Sequence, residues 1–397
     1  MNFRVLKKLN KCDWYLVLWI VYYLQGIAYS EGGMISTAIL GILILISINY
    51  ALKVIQQKKK PLYFKGLNLL VVMFTIYGAY YILVSPSIVK YPISGMAIPS
   101  YSYLKSIYLS LIPIYAFYYF SKNGYLTEER LQKWGFIFMI SVMLSFFRSQ
   151  QEALQKLMEE GASSEEITNN SGYLFLSCIP LLVIYRKKPL IQFTGLAFVM
   201  AFIVIGMKRG AIAIGSIVSL YFILQAIKQT KGNLRIAIIS LSIVTGWMAI
   251  YFFMYQMSHS DFMMQRIQDT MEGNSSGRDS IYSFFWNYFT EQASLFHYLI
   301  GRGANGTLEI YSKLAHNDWL EIAVNQGLVG IFVYILYWYY FYKTWIHSKN
   351  INAKNIIGIL LIIYFAKTFF SMSYSDMSYV ATCVLGFALA KTNCKNT

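Results

Sequence analysis

MISTAILGILILISINYALKVI, residues Met34–Ile55, decides the fold class. It is an unbroken apolar run whose single charge, Lys53, falls near its end. Crossing the hydrocarbon core as a helix takes about 20 such residues. A strand of an outer-membrane barrel would alternate apolar and polar side chains, and this run does not. Comparable runs of about 16–25 residues follow from end to end. They are Trp14–Tyr29, Leu67–Val84, Tyr103–Phe120, Trp134–Phe147, Gly172–Tyr185, Ile191–Met207, Ala211–Ile227, Ile236–Tyr255, Trp319–Tyr342, Ile356–Phe370 and Met377–Ala390. The chain of 397 residues is 57% hydrophobic and 13% charged. A soluble domain carries roughly twice that charged fraction. The expectation is an all-α polytopic membrane protein with about twelve transmembrane helices. The first run is long enough to span, so it is not read as a cleavable signal peptide.

The net charge of +16 is informative by position. The start is basic, with Arg4, Lys7, Lys8 and Lys11, which by the positive-inside rule places it in the cytoplasm. Every second connection is then basic too: Lys53/Lys58/Lys59/Lys60/Lys65, Lys122/Arg130/Lys133, Arg186/Lys187/Lys188, Lys228/Lys231/Arg235, Lys343/Lys349/Lys354, and the tail Lys391/Lys395. Together these hold 23 of the 34 Lys and Arg, which predicts both termini inside. Among the outer connections, Gln150–Ser171 has five Glu against one Lys and reads as a surface helix. The only long one, between the ninth and tenth runs, divides the chain into helices 1–9 (1–255), a periplasmic loop (256–315) and helices 10–12 (316–397). Within it, RDSIYSFFWNYFTEQA from Arg278 reads as an amphipathic helix with an aromatic face, suited to a membrane surface. Cys12, Cys178, Cys383 and Cys394 all avoid the outer loops, so no disulfide framework is implied.

Eleven cations remain on the outer side, where the topology rule does not call for them: Lys90, Lys105, Arg148, Lys156, Lys208, Arg209, Arg266, Arg278, Arg302, Lys313 and Lys367. Charge at membrane depth is costly and is usually paired or functional. Lys208 and Arg209 occupy a minimal turn between two apolar runs. They read either as snorkelling headgroup-level anchors or as an anion clamp, a task for which the planar arginine fork is suited. Arg278 follows GNSSG at a predicted helix start, where the helix's positive end favours an anion; solvation or pairing with Asp279 is the plainer reading. Lys313 and Arg302 flank a flexible GANG turn. Arginines converging outside the membrane suit a lipid diphosphate. No carboxylate spacing specifies a metal, and no metal or other cofactor is expected.

AHNDWLEIAVNQGLVG, Ala315–Gly330, places His316 at the outer entrance of the tenth run. A helix start lowers a histidine's pKa and keeps the imidazole neutral, the form that accepts a proton. Asn317 or Asp318 is the expected N-cap, with Glu321 at the capping-box offset from Asp318. The plainer reading is a capped helix start with an interfacial histidine. His259 and His297 share the loop but have no such setting. Gly327 and Gly330 are read as permitting close helix packing.

His316, Asn317, Leu320, Gly327 and Gly330 together resemble the signature of the O-antigen ligase and Wzy-type O-antigen polymerase superfamily. KRGA at Lys208–Ala211, SGRDSIY at Ser276–Tyr282 and LIGRGANG at Leu299–Gly306 are similar to further family motifs, in the same order; Lys208 stands where the family more often has a small polar residue. The resemblance implies a GT-C-like membrane glycosyltransferase of the bacterial inner membrane, acting at its outer face on undecaprenyl-diphosphate-linked glycan. His316 would be catalytic, supported by Asn317 and Asp318. Arg209, Arg278, Lys208 and Arg302 would bind the diphosphate. The expected partners are the lipid-linked donor, a glycan or lipid A–core acceptor, the bilayer and a chain-length regulator, with no nucleic acid. Polymerisation of O-antigen or capsule repeat units is the leading expectation. An O-antigen ligase is the alternative, and a flippase or transporter a weaker one.

Overall fold

The computed structural model describes residues 9–29, 32–160, 171–206, 208–259 and 277–393, with 264 and 268 alone between the last two segments. The side chains of Lys156 and His259, together with Arg266, Ser276 and Cys394, lie outside the described set. In chain order the helices are α1 Lys11–Tyr23, α2 Met34–Ile55, α3 Tyr63–Val84, α4 Ser102–Leu111, α5 Pro113–Lys122, α6 Glu128–Glu160, α7 Gly172–Leu176, α8 Ile179–Leu182, α9 Pro189–Ile205, α10 Arg209–Gln229 and α11 Gly232–His259. Then come α12 Arg278–Asn287, α13 Leu295–Ile300, α14 Gly306–Ile310, α15 Asp318–His347, α16 Ile351–Phe370 and α17 Tyr379–Lys391. Six of them (α2, α3, α10, α11, α15 and α16) are long and apolar enough to cross a membrane. Gly172–Tyr185, Pro189–Ile205 and Tyr379–Lys391 are shorter apolar segments. The chain is a helical multi-pass membrane protein.

The apolar runs are helical because an apolar medium offers backbone groups no partner but each other. Their outer flanks stay apolar: Met34, Leu45 and Leu52 on α2 and Ile243, Trp247 and Ile250 on α11 are each more than half exposed, as lipid-facing side chains are. Inward, small residues set the closest crossings. A Cβ on Gly386 of α17 would stand 2.6 Å from the Phe117 Cβ of α5, and one on Gly66 of α3 would stand 2.8 Å from the Tyr337 Cα of α15. Polar links reinforce the second crossing, with Tyr63 N–H donating to Thr344 Oγ1 at 2.7 Å and the Tyr63 and Tyr337 hydroxyls 3.0 Å apart.

Several helices depart from the expected bounds. α1 stops at Tyr23, and Leu24–Tyr29 is a turn. The run Tyr103–Phe120 divides at Ile112, because Pro113 begins a new helix. The run Gly172–Tyr185 is α7, α8 and a 3₁₀ turn, interrupted before Pro180. Its freed carbonyls find side-chain donors: Gln192 reaches the Leu182 carbonyl at 3.0 Å and Gln132 that of Ile184 at 3.1 Å. α6 continues as one helix to Glu160, so the first half of the expected surface helix extends a core helix; 161–170 lie outside the described residues. Among the described residues there is also a small antiparallel ribbon, Ile88–Lys90 against Ala97–Pro99, turned through Pro92 and Gly95. Cys12, Cys178 and Cys383 are buried free thiols.

Candidate active site

The loop ahead of α15 folds onto α15 itself. α12 begins after Gly277, whose φ of +73° suits glycine, and runs into a π turn over Tyr288–Gln292. The expected amphipathic helix is present, and part of its aromatic face is spent within the protein. Ile281, Phe285 and Tyr288 pack on Ala315 and Val324, while Trp286 stays exposed. The Gly301–Gly303 segment of LIGRGANG then docks on a break in α15. Arg302 N–H donates to the Val324 carbonyl and Gly303 N–H to that of Asn325, each at 2.8 Å. Gly327 makes room for this with φ +62° and ψ −158°, inside a stretch that is otherwise helical. A Cβ there would sit 2.5 Å from the Leu299 carbonyl carbon and 2.7 Å from the Gly301 nitrogen. The signature glycine therefore breaks the helix and admits a second backbone; close helix packing is made elsewhere, at Gly66.

One buried carboxylate holds the entrance together. Glu321 accepts from Thr307 Oγ1 at 2.5 Å, Ala315 N–H at 2.9 Å and Asn325 Nδ2 at 3.1 Å. The Asn325 Oδ1 in turn accepts Thr307 N–H at 3.0 Å. The N-cap is Asn317, accepting from the Trp319 and Leu320 N–H groups at 2.9 and 3.3 Å. Glu321 serves the residues around the cap and not the cap's own N–H. Asp318 is fully buried and faces the bundle, accepting the Tyr334 hydroxyl at 2.5 Å and Ser373 N–H at 2.9 Å. It ties the α16–α17 connection to α15.

His316 stands at the end of this frame with φ +50°, a left-handed conformation uncommon outside glycine. The residue is exposed, yet its pKa is lowered. Crowding by surrounding protein contributes most, followed by the charges of Arg278, Lys208 and Lys313. The direction matches the sequence expectation, but the cause is burial and three cations from separate segments. Tyr282 of α12 lies beside the His316 backbone. Its hydroxyl lies 3.0 Å from the Phe369 carbonyl and 3.3 Å from that of His316, within reach of the Arg278 and Asn317 side chains.

The structure thus brings Lys208 and Arg278 to His316 and adds Lys313. Arg209 opens α10 beside Lys208, and Gly210 behind it fits against Tyr173 and Phe370 at the same end of the bundle. Arg302 is engaged elsewhere. It donates to the Tyr288 hydroxyl at 2.8 Å and pairs with Glu309 at 3.3 Å. Burial works against its charge, and Tyr288 and Glu309 more than offset that. Asn317 and Asp318 support the site as framework. His297, in α13, packs on Phe296. Lys367, met in the sequence only as a cation in an apolar run, is buried and paired with Asp376 at 2.5 Å. Among the described residues no group of three His, Cys, Asp or Glu gathers as metal ligands would. Glu321 was legible only as a cap; its place in a run of buried apolar residues is the signal that it needs partners. No protein-family profile matches this chain, and no curated protein is significantly similar to it.

Proposed function

We propose that this chain is a membrane glycosyltransferase of GT-C-like architecture that joins glycan repeat units carried on undecaprenyl diphosphate, at the outer face of the bacterial inner membrane. Twelve spans with both termini cytoplasmic belong to the same proposal. The observation that carries it is the convergence of Lys208, Arg278 and Lys313 on one accessible imidazole, His316, at one end of the bundle. In the reaction the acceptor sugar hydroxyl attacks the anomeric carbon of the donor. His316 takes the hydroxyl proton, the bond from that carbon to the diphosphate oxygen breaks, and the lipid diphosphate leaves. Lys208, Arg209 and Arg278 stabilise the charge that grows on the departing oxygens. The left-handed backbone at His316 supports the reading, since strain of about 1–3 kcal/mol persists where surrounding structure enforces it, commonly at functional sites.

The placement of charge favours an enzyme over a transporter. The buried charged side chains among the described residues are Asp13, Asp318, Glu321 and Lys367, and each lies within about one turn of a helix end. A translocation path would string them through the spans. The test is the glycan profile of the host with the gene deleted and restored as wild type, His316→Ala, Arg209→Ala or Arg278→Ala, with lipid-linked intermediates resolved by mass. Single repeat units with long chains gone are the expected result for the deletion and for all three variants. Long chains stranded on undecaprenyl diphosphate, with bare lipid A–core, would make it the ligase. An unchanged profile would remove the transferase reading.

A further inference from the structure

A second recess opens at the same end of the bundle, between α1, α4, α6 and the α16–α17 connection, with a volume of about 490 Å³. Its walls combine aromatic rings with hydroxyls: Tyr22 and Tyr23 from α1, Ser106 from α4 and Ser145 from α6. Two cations that the topology rule leaves unexplained, Lys105 and Arg148, both line it. Arg148 is built into the wall. It pairs with Glu152 at 2.7 Å and donates to the Gln25 carbonyl, lying where any side chain on Gly26 would overlap its guanidinium. Lys105 is different. It is half-buried in the first turns of α4, where the helix's own positive end disfavours a cation, and no ion pair is formed by it among the described residues. The one carboxylate in the lining, Asp376, is already neutralised by Lys367. The recess therefore presents stacking surface, hydroxyls and one uncompensated positive charge.

That is the chemistry of a sugar site with a place for an acid. Rings take the apolar face of a pyranose, hydroxyls take its hydroxyls, and an ammonium takes a carboxylate by a charge-assisted hydrogen bond. A relay of contacts links the recess to the candidate active site. Lys367, bonded to Asp376 on its wall, lies 5.3 Å from the centre of the Tyr173 ring, and Tyr173 is within electrostatic reach of Arg278. We propose that this recess holds a carboxylate-bearing sugar of the glycan being extended, with Lys105 on the carboxylate; the inference rests on the transferase reading above.

The test uses the full-length protein in phosphatidylcholine nanodiscs and two probes, a glucuronic-acid-containing disaccharide and its glucose counterpart, with binding followed by calorimetry. The acidic probe should bind wild type and His316→Ala alike. It should bind Lys105→Glu and the recess-filling Ser106→Trp at least about tenfold more weakly, the loss of one charge-assisted bond. The neutral probe should bind wild type more weakly than the acidic one. Equal binding to wild type and Lys105→Glu, or no binding to wild type, would overturn the proposal. So would displacement of the acidic probe by phosphatidylglycerol in the nanodisc, which would make the occupant a lipid headgroup. A glycan profile unchanged by deletion of the gene would instead sink the transferase reading and leave these binding results unchanged.

Discussion

Gly327→Ala tests whether the break in α15 is required. At φ +62° and ψ −158° the backbone occupies a region open essentially to glycine, so a side chain there costs about 1–3 kcal/mol before any contact is counted. The new Cβ would also lie 2.5 Å from the Leu299 carbonyl carbon and 2.6 Å from its oxygen. These are backbone atoms with no rotamer to change. Relief requires the Leu299–Gly303 segment to withdraw, breaking the bonds from Arg302 N–H to Val324 and from Gly303 N–H to Asn325. At about 1 kcal/mol each, the total is about 3–5 kcal/mol, a large part of the 5–15 kcal/mol that typically separates folded from unfolded protein. The assay is unfolding of the purified protein in mixed micelles by increasing sodium dodecyl sulfate, followed by tryptophan fluorescence, with glycan transfer measured on the folded fraction. Gly41→Ala is the control: it faces open space inside α2 and should match wild type or gain up to about 1 kcal/mol. A Gly327→Ala protein within 1 kcal/mol of wild type, with transfer intact, would refute the reasoning.

Three further outcomes follow from the same frame. Glu321→Gln keeps acceptors for Thr307 and Asn325 but turns an amide N–H toward the Ala315 N–H; it should cost about 1–3 kcal/mol in the same titration, and Glu321→Ala more, whereas equal stability of Glu321→Ala and wild type would remove the hub. Arg302→Ala should lower stability by about 1.5–3 kcal/mol through the lost bonds to Tyr288 and Glu309, while Arg278→Ala should lower transfer with little change in unfolding; the reverse pattern would exchange their roles. Because the pKa of His316 is lowered, the neutral base should persist below the usual histidine range and transfer should fall only as pH drops through the lowered value. Lys313→Gln removes one of the charges responsible, so the acid limb of its pH–rate profile should move to higher pH; an unmoved limb would mean that another group sets it.

Much of the fold was legible because a bilayer leaves few choices. Met34–Ile55 and Leu67–Val84 read as helices on length and composition, and they are helices. What could not be read was the interior of the irregular runs. The divisions at Pro113 and within Gly172–Tyr185 depend on neighbouring side chains, such as Gln192 and Gln132, that satisfy the exposed carbonyls. At the candidate site, Lys208 and Arg278 were singled out as charges with no topological reason to be where they are, and His316 as an imidazole at a helix entrance, and the structure gathers them. The roles of Asp318, Glu321 and Arg302 were not legible. A polar residue's part is set by what faces it, and their partners are distant or unremarkable in sequence: Ser373 and Tyr334 for Asp318, Thr307 for Glu321, Tyr288 for Arg302.

The interruption at Gly327 makes α15 two rods joined end to end. The lower rod is clamped to α3, where Gly66 meets Tyr337. The upper is clamped to the loop through Glu321, Asn325 and the Leu299–Gly303 backbone. A bilayer that thins or thickens tilts whatever is fastened to its helices. The break at Gly327 separates the rod fastened to α3 from the rod fastened to the loop. The histidine, two residues ahead of the upper rod, is thereby held by the loop-side clamp and by the Asp318 bonds to Tyr334 and Ser373, and not by the clamp on α3.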